Sequence, residues 1–295
     1  MAESGVVVID KPADWTSHDV VAKTRGLART RRVGHAGTLD PMATGVLVLG
    51  IEKGTKLLGH LTLTEKAYDA TIRLGLTTDT DDAEGRPGVR ADASGVGDEA
   101  VRAAVRALTG EIMQVPPQVS AIKVDGKRAY KSAREGKEVE LKARPVTVAA
   151  FEVTDIRRVA DADGGFVDVD ASVVCSSGTY IRSLARDMGE ALGTGGHLTA
   201  LRRTRVGPYG LEQARTLEQL ATEFTQVPLA EAVAAAFPAR ALTAEETRRV
   251  RHGNRIDPTD QGRGPIGLFD PDGRVIALAE NRRDHMKPLV VFEPA

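Results

Sequence analysis

The chain has 295 residues, 41% apolar and 27% charged, and its 40 basic and 41 acidic side chains leave a net charge of −1. That is the composition of an ordinary globular protein, sized for one large domain plus a small one. The balance excludes binding driven by net charge alone, and no apolar run approaches the ~20 residues that a membrane span needs.

Val6 to Ile9 reads as a buried strand, and Ser17 as the N-cap of a helix over about His18 to Arg29. Val46 to Ile51 is an apolar strand, and Tyr68 to Leu76 alternates like another. Residues 84–97, with four glycines and a proline, read as a flexible loop, followed by a helix over about Asp98 to Thr109. Pro145 to Ile156 and Phe166 to Cys175 are rich in β-branched residues and predict a hairpin, with Asp163-Gly164-Gly165 in its connection. Thr179 to Leu192 predicts an amphipathic helix, Leu198 to Val206 a strand, and residues 216–224 and 228–236 two Ala-rich helices. After Pro238, turn signals at Gly253-Asn254, Gly262 to Pro265 and Asp270 to Gly273 punctuate short strands and suggest a small β-barrel.

Cys175 is the only cysteine, so no internal disulfide forms. The N-terminus has no basic leader, and a reducing cytoplasm is the expected location. Charge is segregated despite its neutral sum. Lys23, Arg25, Arg29, Arg31 and Arg32 form one basic run, and Lys123, Lys127, Arg128, Lys131 and Arg134 a second. Arg202, Arg203 and Arg205 form a third, and Arg248, Arg249, Arg251 and Arg255 a fourth. Such runs are either solvated helix faces or a phosphate-binding surface. The acids Asp79, Asp81, Asp82 and Glu84 miss the EF-hand spacing and read as a solvated or N-capping turn.

Residues 34–50 carry the strongest chemical signal. Asp40 sits in a Gly-punctuated loop that runs into an apolar strand, and Pro41 stiffens the turn behind it. From the residues alone Asp40 is either a turn cap or a nucleophile. No dinucleotide or phosphate loop, no His-Glu-x-x-His and no paired cysteines are present, so no cofactor and no metal are expected.

Gly34-His35-Ala36-Gly37-Thr38-Leu39-Asp40-Pro41-Met42-Ala43-Thr44-Gly45 resembles the catalytic motif of the bacterial tRNA pseudouridine-55 synthases, the TruB family. Further segments match in the same order: Asp10-Lys11-Pro12 with Thr16-Ser17, Lys66-Ala67-Tyr68, Arg73-Leu74-Gly75, and Thr78-Asp79-Thr80-Asp81. Pro116-Pro117 with Ser120-Ala121-Ile122-Lys123, Ser177-Gly178-Thr179-Tyr180-Ile181-Arg182 and Leu201-Arg202-Arg203-Thr204 follow. Ala241-Leu242-Thr243 leading into Arg248 to Gly253 resembles the start of a PUA domain.

The resemblance implies an α+β pseudouridine synthase fold, a mixed and mainly antiparallel central sheet flanked by helices and loops, plus a small PUA-like barrel. It implies a catalytic domain over 1–236 and an RNA-binding domain over 237–295. The implied activity is isomerisation of uridine 55 in the tRNA T-loop after base flipping, with tRNA as the partner and no protein partner beyond a monomer. Asp40 matches the catalytic aspartate, Tyr68 the tyrosine that stacks on the uracil, and Arg182 the arginine that pairs with the catalytic carboxylate. Tyr180 is expected in the same pocket, His35 where the T-loop is remodelled, and Arg202 and Arg203 on RNA phosphate. Lys11 either touches phosphate or buttresses the fold, and Cys175 is a buried structural thiol. The chain departs from the family pattern at Asp14, where Gly is usual, at Ala36, where many relatives carry Thr, and at Val119, where a larger residue is usual. A tRNA-folding chaperone is the second reading. A glycosidase-type hydrolase is the third, and it needs two carboxylates where the motifs offer one. Deleting residues from about 238 onward is expected to weaken tRNA affinity and spare the chemistry.

Overall fold

The computed structural model describes residues 3–119, 123–124, 127–128, 141–161 and 164–295. It resolves into two compact units, Met1–Pro41 with Gly45–Thr64 and Val206–Ala295, and Met42–Thr44 with Glu65–Arg205. The motif segment around residues 120–122, the side chains of the second basic run and Asp163 lie outside the described residues.

In the first unit the two unbroken apolar runs become the strands Gly5–Lys11 and Thr44–Ile51. They pair antiparallel, with Gly5 opposite Ile51 and Lys11 opposite Gly45. Their side chains are buried almost throughout, as expected of apolar strands that lack a polar alternation. A short strand, Val33–His35, joins Thr44–Ile51, and Val227–Pro228 joins Gly5–Lys11. Helix Ser17–Leu27 begins one residue earlier than expected and is capped by Thr16, not Ser17. The Thr16 hydroxyl accepts from the Asp19 N–H at 3.1 Å, and Asp19 accepts the Thr16 N–H in return. Ser17 is thereby free to bind the Leu39 backbone. The Ala-rich pieces form helices Leu217–Thr222 and Leu229–Ala236.

The chain after Pro238 forms a four-stranded sheet in the order Ala239–Ala241, Pro265–Phe269, Val275–Asn281, Met286–Val291, with helix Ala244–Arg251 beside it. Its helix side packs Leu242 and Val250 with Ile266, Leu268 and Ile276. Val275, Leu278 and Phe292 join a different cluster, with Phe237 and with Val6, Val8, Val46, Val48 and Leu57. The C-terminal sheet therefore shares a core with the Gly5–Lys11 and Thr44–Ile51 strands.

The second unit is a sheet ordered Gly196–Val206, Lys66–Leu74, Gly164–Cys175, Arg144–Asp161, Gly110–Gln114. The predicted hairpin is present and longer than expected, paired antiparallel from Val148↔Cys175 to Asp161↔Gly164. Lys66, Tyr68, Ala70, Ile72 and Leu74 alternate inward, the period a half-buried strand requires. The strand stops at Leu74 because Gly75 turns it with φ of 108°. Helices Asp98–Ala107 and Ile181–Ala191 match the expected ones. The stretch 84–97 is not all loop: Pro87–Arg90 pairs with Leu76–Thr78.

Candidate active site

Asp40 is half-buried on an irregular loop between Val33–His35 and Thr44–Ile51. The φ angles of Gly37, 90°, and Gly45, 95°, lie where a side chain would be strained, which explains two of the glycines around it. Both neighbours of Asp40 are anchored through their backbones. The Ser17 hydroxyl donates to the Leu39 carbonyl at 3.1 Å and accepts the Leu39 N–H at 2.9 Å. The Pro41 carbonyl accepts from the Lys11 ammonium at 3.0 Å and from the Asp14 N–H at 2.9 Å.

Lys11 is fully buried and also donates to the carbonyls of Pro12, at 2.8 Å, and Trp15, at 2.6 Å. A buried ammonium is tolerated only when its donors are met, and here they fasten the turn behind Asp40. Of the two expected roles for Lys11, buttress and phosphate contact, this burial supports the buttress. Asp14 has φ of 64°, the conformation that explains the usual glycine there and that Asp tolerates better than most residues. His35 is half-buried and meets the His18 ring edge-on at 5.6 Å.

In the second unit, Tyr68 is buried on the inward face of its strand, opposite Val173. Lys66 lies one step along the same face, opposite Cys175. Burial, helped by the nearby Arg203 guanidinium, lowers the Lys66 ammonium to about 8. Burial pushes the Cys175 thiol up to about 11, in keeping with an inert structural cysteine. Tyr180 is the N-cap of helix Ile181–Ala191 and lines a cavity of about 230 Å³ with Gln114, Pro116, Ser177 and Gly178.

Arg182 is 5% exposed and donates to the carbonyls of Thr80, at 2.9 Å, and Val119, at 3.0 Å. Its Nη1 lies 3.5 Å from Asp82 Oδ2. The acidic run is therefore only partly solvated: Asp79 and Glu84 are exposed, and Asp81 and Asp82 turn inward. Asp82 is 3% exposed and accepts from the Thr80 hydroxyl at 2.5 Å, and Asp81 meets Arg186 at 3.0 Å. Burial outweighs Arg186 and raises the Asp81 carboxyl above its ordinary value. Removing one partner of a buried ion pair strands the other charge. Asp82→Ala is therefore expected to cost about 3–5 kcal/mol of stability. Denaturant unfolding checks this, and an unchanged midpoint would contradict it.

Within the third basic run only Arg203 is buried. Arg203 is 1% exposed, beside Lys66, which leaves its guanidinium enclosed in the fold and does not fit the expected phosphate contact. Arg205 pairs with Glu65 at 2.5 Å. Arg202 is half-exposed and reaches the Thr44 hydroxyl at 3.3 Å. The first run stands in solvent: Lys23, Arg25, Arg29, Arg31 and Arg32 are all exposed. In the fourth run, Arg248, Arg249 and Arg255 are exposed, while Arg251 faces Asp270 and Glu293 at 3.8 and 3.6 Å.

Within the first unit the structure brings together Lys11, Ser17 and Asp40. Within the second it joins Arg182 to Asp82 and places Lys66 and Tyr68 on one face. Sequence reading missed Ser17 as an anchor and Asp82 as a partner of Arg182. The one available signal was that Asp82 directly follows the Thr78-Asp79-Thr80-Asp81 motif. Among the described residues, no group of three or more His, Cys, Asp or Glu could hold a metal ion.

Family models match the chain almost from end to end. The family model described as TruB family pseudouridylate synthase, N-terminal domain, matches residues 25–181. The tRNA pseudouridylate synthase B C-terminal domain matches 182–235, and the tRNA pseudouridine synthase II C-terminal model matches 237–293. The chain is 69% identical to a tRNA pseudouridine synthase B of Thermobifida fusca (strain YX), over 98% of each chain. It is 60% identical to the Streptomyces coelicolor protein of that name, over 98% of this chain and 97% of the relative. Among solved structures, a chain of an H/ACA RNP bound to a substrate RNA containing 2′-deoxyuridine superposes with a TM-score of 0.73. It is 25% identical, over 98% of this chain and 85% of that one. A chain of a Cbf5-Nop10-Gar1 complex gives a TM-score of 0.72 at 26% identity, with the same coverage. The chain belongs to the TruB family of pseudouridylate synthases.

Proposed function

We propose that this chain is a tRNA pseudouridine-55 synthase that isomerises the T-loop uridine without a cofactor. The observation that carries the reading is the Asp40 turn: one partly exposed carboxylate between two residues whose backbones are fastened by Ser17 and Lys11. Such pre-organisation fits a group that must meet a reacting atom in a fixed place.

The reaction breaks the ribose C1′–N1 bond and forms C1′–C5. C5 gives up its proton and N1 ends with one, so atoms and charge balance within the nucleotide. Asp40 starts the cleavage, by attacking the nucleotide covalently or by taking a ribose proton; either route needs its ionised form. Tyr68 and Tyr180 receive the flipped uracil, stacking against it to offset a few kcal/mol of unstacking. Arg182 supplies positive charge that favours an ionised acid. His35 acts at the T-loop as the base leaves its stack. The sheet over 237–295 is a PUA-like RNA-binding piece, and the working form is a cytoplasmic monomer. Among the described residues, no helix is long and apolar enough to cross a membrane.

The direct test is incubation of the purified chain with an unmodified tRNA transcript, followed by mapping of the isomerised base. Pseudouridine at position 55 supports the reading; free uracil would favour a hydrolase, and unaltered uridine would refute both. The exposed first basic run should carry phosphate contacts. Reversing Arg29, Arg31 or Arg32 to Glu is expected to weaken tRNA binding and flatten the salt dependence by about one phosphate each. A filter-binding series with an unchanged slope would remove that run from the interface.

A further inference from the structure

Tyr180 is held from a direction the sequence did not suggest. Gln114 ends the strand Gly110–Gln114 and is 1% exposed. Its side-chain carbonyl accepts the Tyr180 N–H at 2.8 Å, and its side-chain amide donates to the Tyr180 carbonyl at 3.0 Å. One amide thus meets both backbone groups of one residue, as a neighbouring strand would. Tyr180 is the N-cap of helix Ile181–Ala191 and has no side-chain cap of its own. The next residue continues the grip: the Val115 carbonyl accepts from the Ser183 hydroxyl at 2.9 Å and from Arg186 at 2.8 Å. The first turn of the helix that carries Arg182 is therefore set from Gln114 and Val115.

We propose that Gln114 is a positioning residue for the reaction, acting through Tyr180, and that it needs both the donor and the acceptor of its amide. The inference rests on the proposed function, because it takes Tyr180 to wall the uracil pocket. Only a planar group with a donor on one side and an acceptor on the other satisfies both contacts. A misplacement of about 1 Å at a positioned group can cost on the order of 100-fold in rate. An unmet buried contact would loosen Tyr180 without touching RNA.

Gln114→Glu gives the sharpest test. As a carboxylate it offers only acceptors, and one of them would face the Tyr180 carbonyl. Protonated, it regains a donor. Burial raises a carboxyl pKa; Arg144, opposite Gln114 on the paired strand, opposes this but is exposed and screened, so the exchange falls within a usable range. The single-turnover rate of Gln114→Glu at saturating tRNA is expected to be at least ~10-fold low at pH 8 and to recover as the pH falls to 6. The unsubstituted chain, which needs ionised Asp40, should gain nothing on acidification. Gln114→Ala should lose about 10–100-fold in that rate with tRNA affinity within about threefold. Gln114→Ala with Tyr180→Ala should be no slower than Tyr180→Ala alone.

Multiplied losses in the double variant, or a Gln114→Glu profile parallel to that of the unsubstituted chain, would overturn the inference. The Gln114→Glu profile is read within one folded protein, so poor folding of the Ala variant does not blunt the test. If the unsubstituted chain makes no pseudouridine, the functional reading fails first, and visibly so.

Discussion

Removing residues 237–295 is expected to unfold the first unit rather than merely weaken tRNA binding. Phe237, Val275, Leu278 and Phe292 are 9%, 5%, 0% and 1% exposed, and they pack in one cluster with Val6, Val8, Val46, Val48 and Leu57. Burying a large apolar side chain contributes about 1.5–3 kcal/mol, so four of them amount to roughly 6–12 kcal/mol. A whole domain is stable by only about 5–15 kcal/mol. The cut would also bare the strands that lead into the Asp40 turn. Polar links across the same packing, Lys56 to the Val291 carbonyl at 2.8 Å and Lys53 to Glu293 at 3.4 Å, are exposed and add little. The expectation from sequence, weakened affinity with intact chemistry, gives way because it treated the C-terminal sheet as a separate bead. Thermal unfolding of a chain ending at Ala236 checks the point. A transition that has lost the first unit's share of the unfolding enthalpy is the expected result; a full-sized transition within a few degrees of the full chain's would contradict it.

The elements that sequence made legible are those whose signal is local. Val6–Ile9 and Val46–Ile51 are apolar runs with turn residues at their ends, and the long hairpin is dense in β-branched residues. What stayed hidden depends on partners far along the chain. Pro87–Arg90 is a strand only because Leu76–Thr78 lies beside it, and nothing in its Pro-Gly-Val-Arg sequence announces that. Thr16 and Ser17 are equally good caps by type; the choice falls to Thr16 because the Ser17 hydroxyl is taken by Leu39. Asp82 looks like any solvated acid until Arg182 arrives from helix Ile181–Ala191. Arg203 looks like a phosphate ligand until its strand turns it inward. In each case a charged or polar residue type was read correctly, and its surroundings, which decide its role, were not in the local pattern. The sharing of a core between the chain ends is invisible for the same reason.

Asp40→Asn is the second large expected effect. The substitution keeps the size of the side chain and removes its charge. The backbone on either side of it is held independently of that charge, Leu39 by the Ser17 hydroxyl, and Pro41 by the Lys11 ammonium and the Asp14 N–H. The variant should therefore fold and keep its tRNA surface. An amide neither attacks C1′ nor takes a ribose proton, so both routes from Asp40 close together. Loss of a single nucleophile typically costs on the order of 10⁴-fold or more, far beyond what packing changes produce. A chaperone acting through the same surface would be untouched by the change.

The most direct measurement is pseudouridine at position 55 after a single turnover of saturating Asp40→Asn protein with unmodified tRNA, read beside tRNA affinity. The account predicts binding within about threefold of the unsubstituted chain and product formation slower by at least ~10³-fold. Pseudouridine appearing at the unsubstituted rate would show that the chemistry does not start at Asp40.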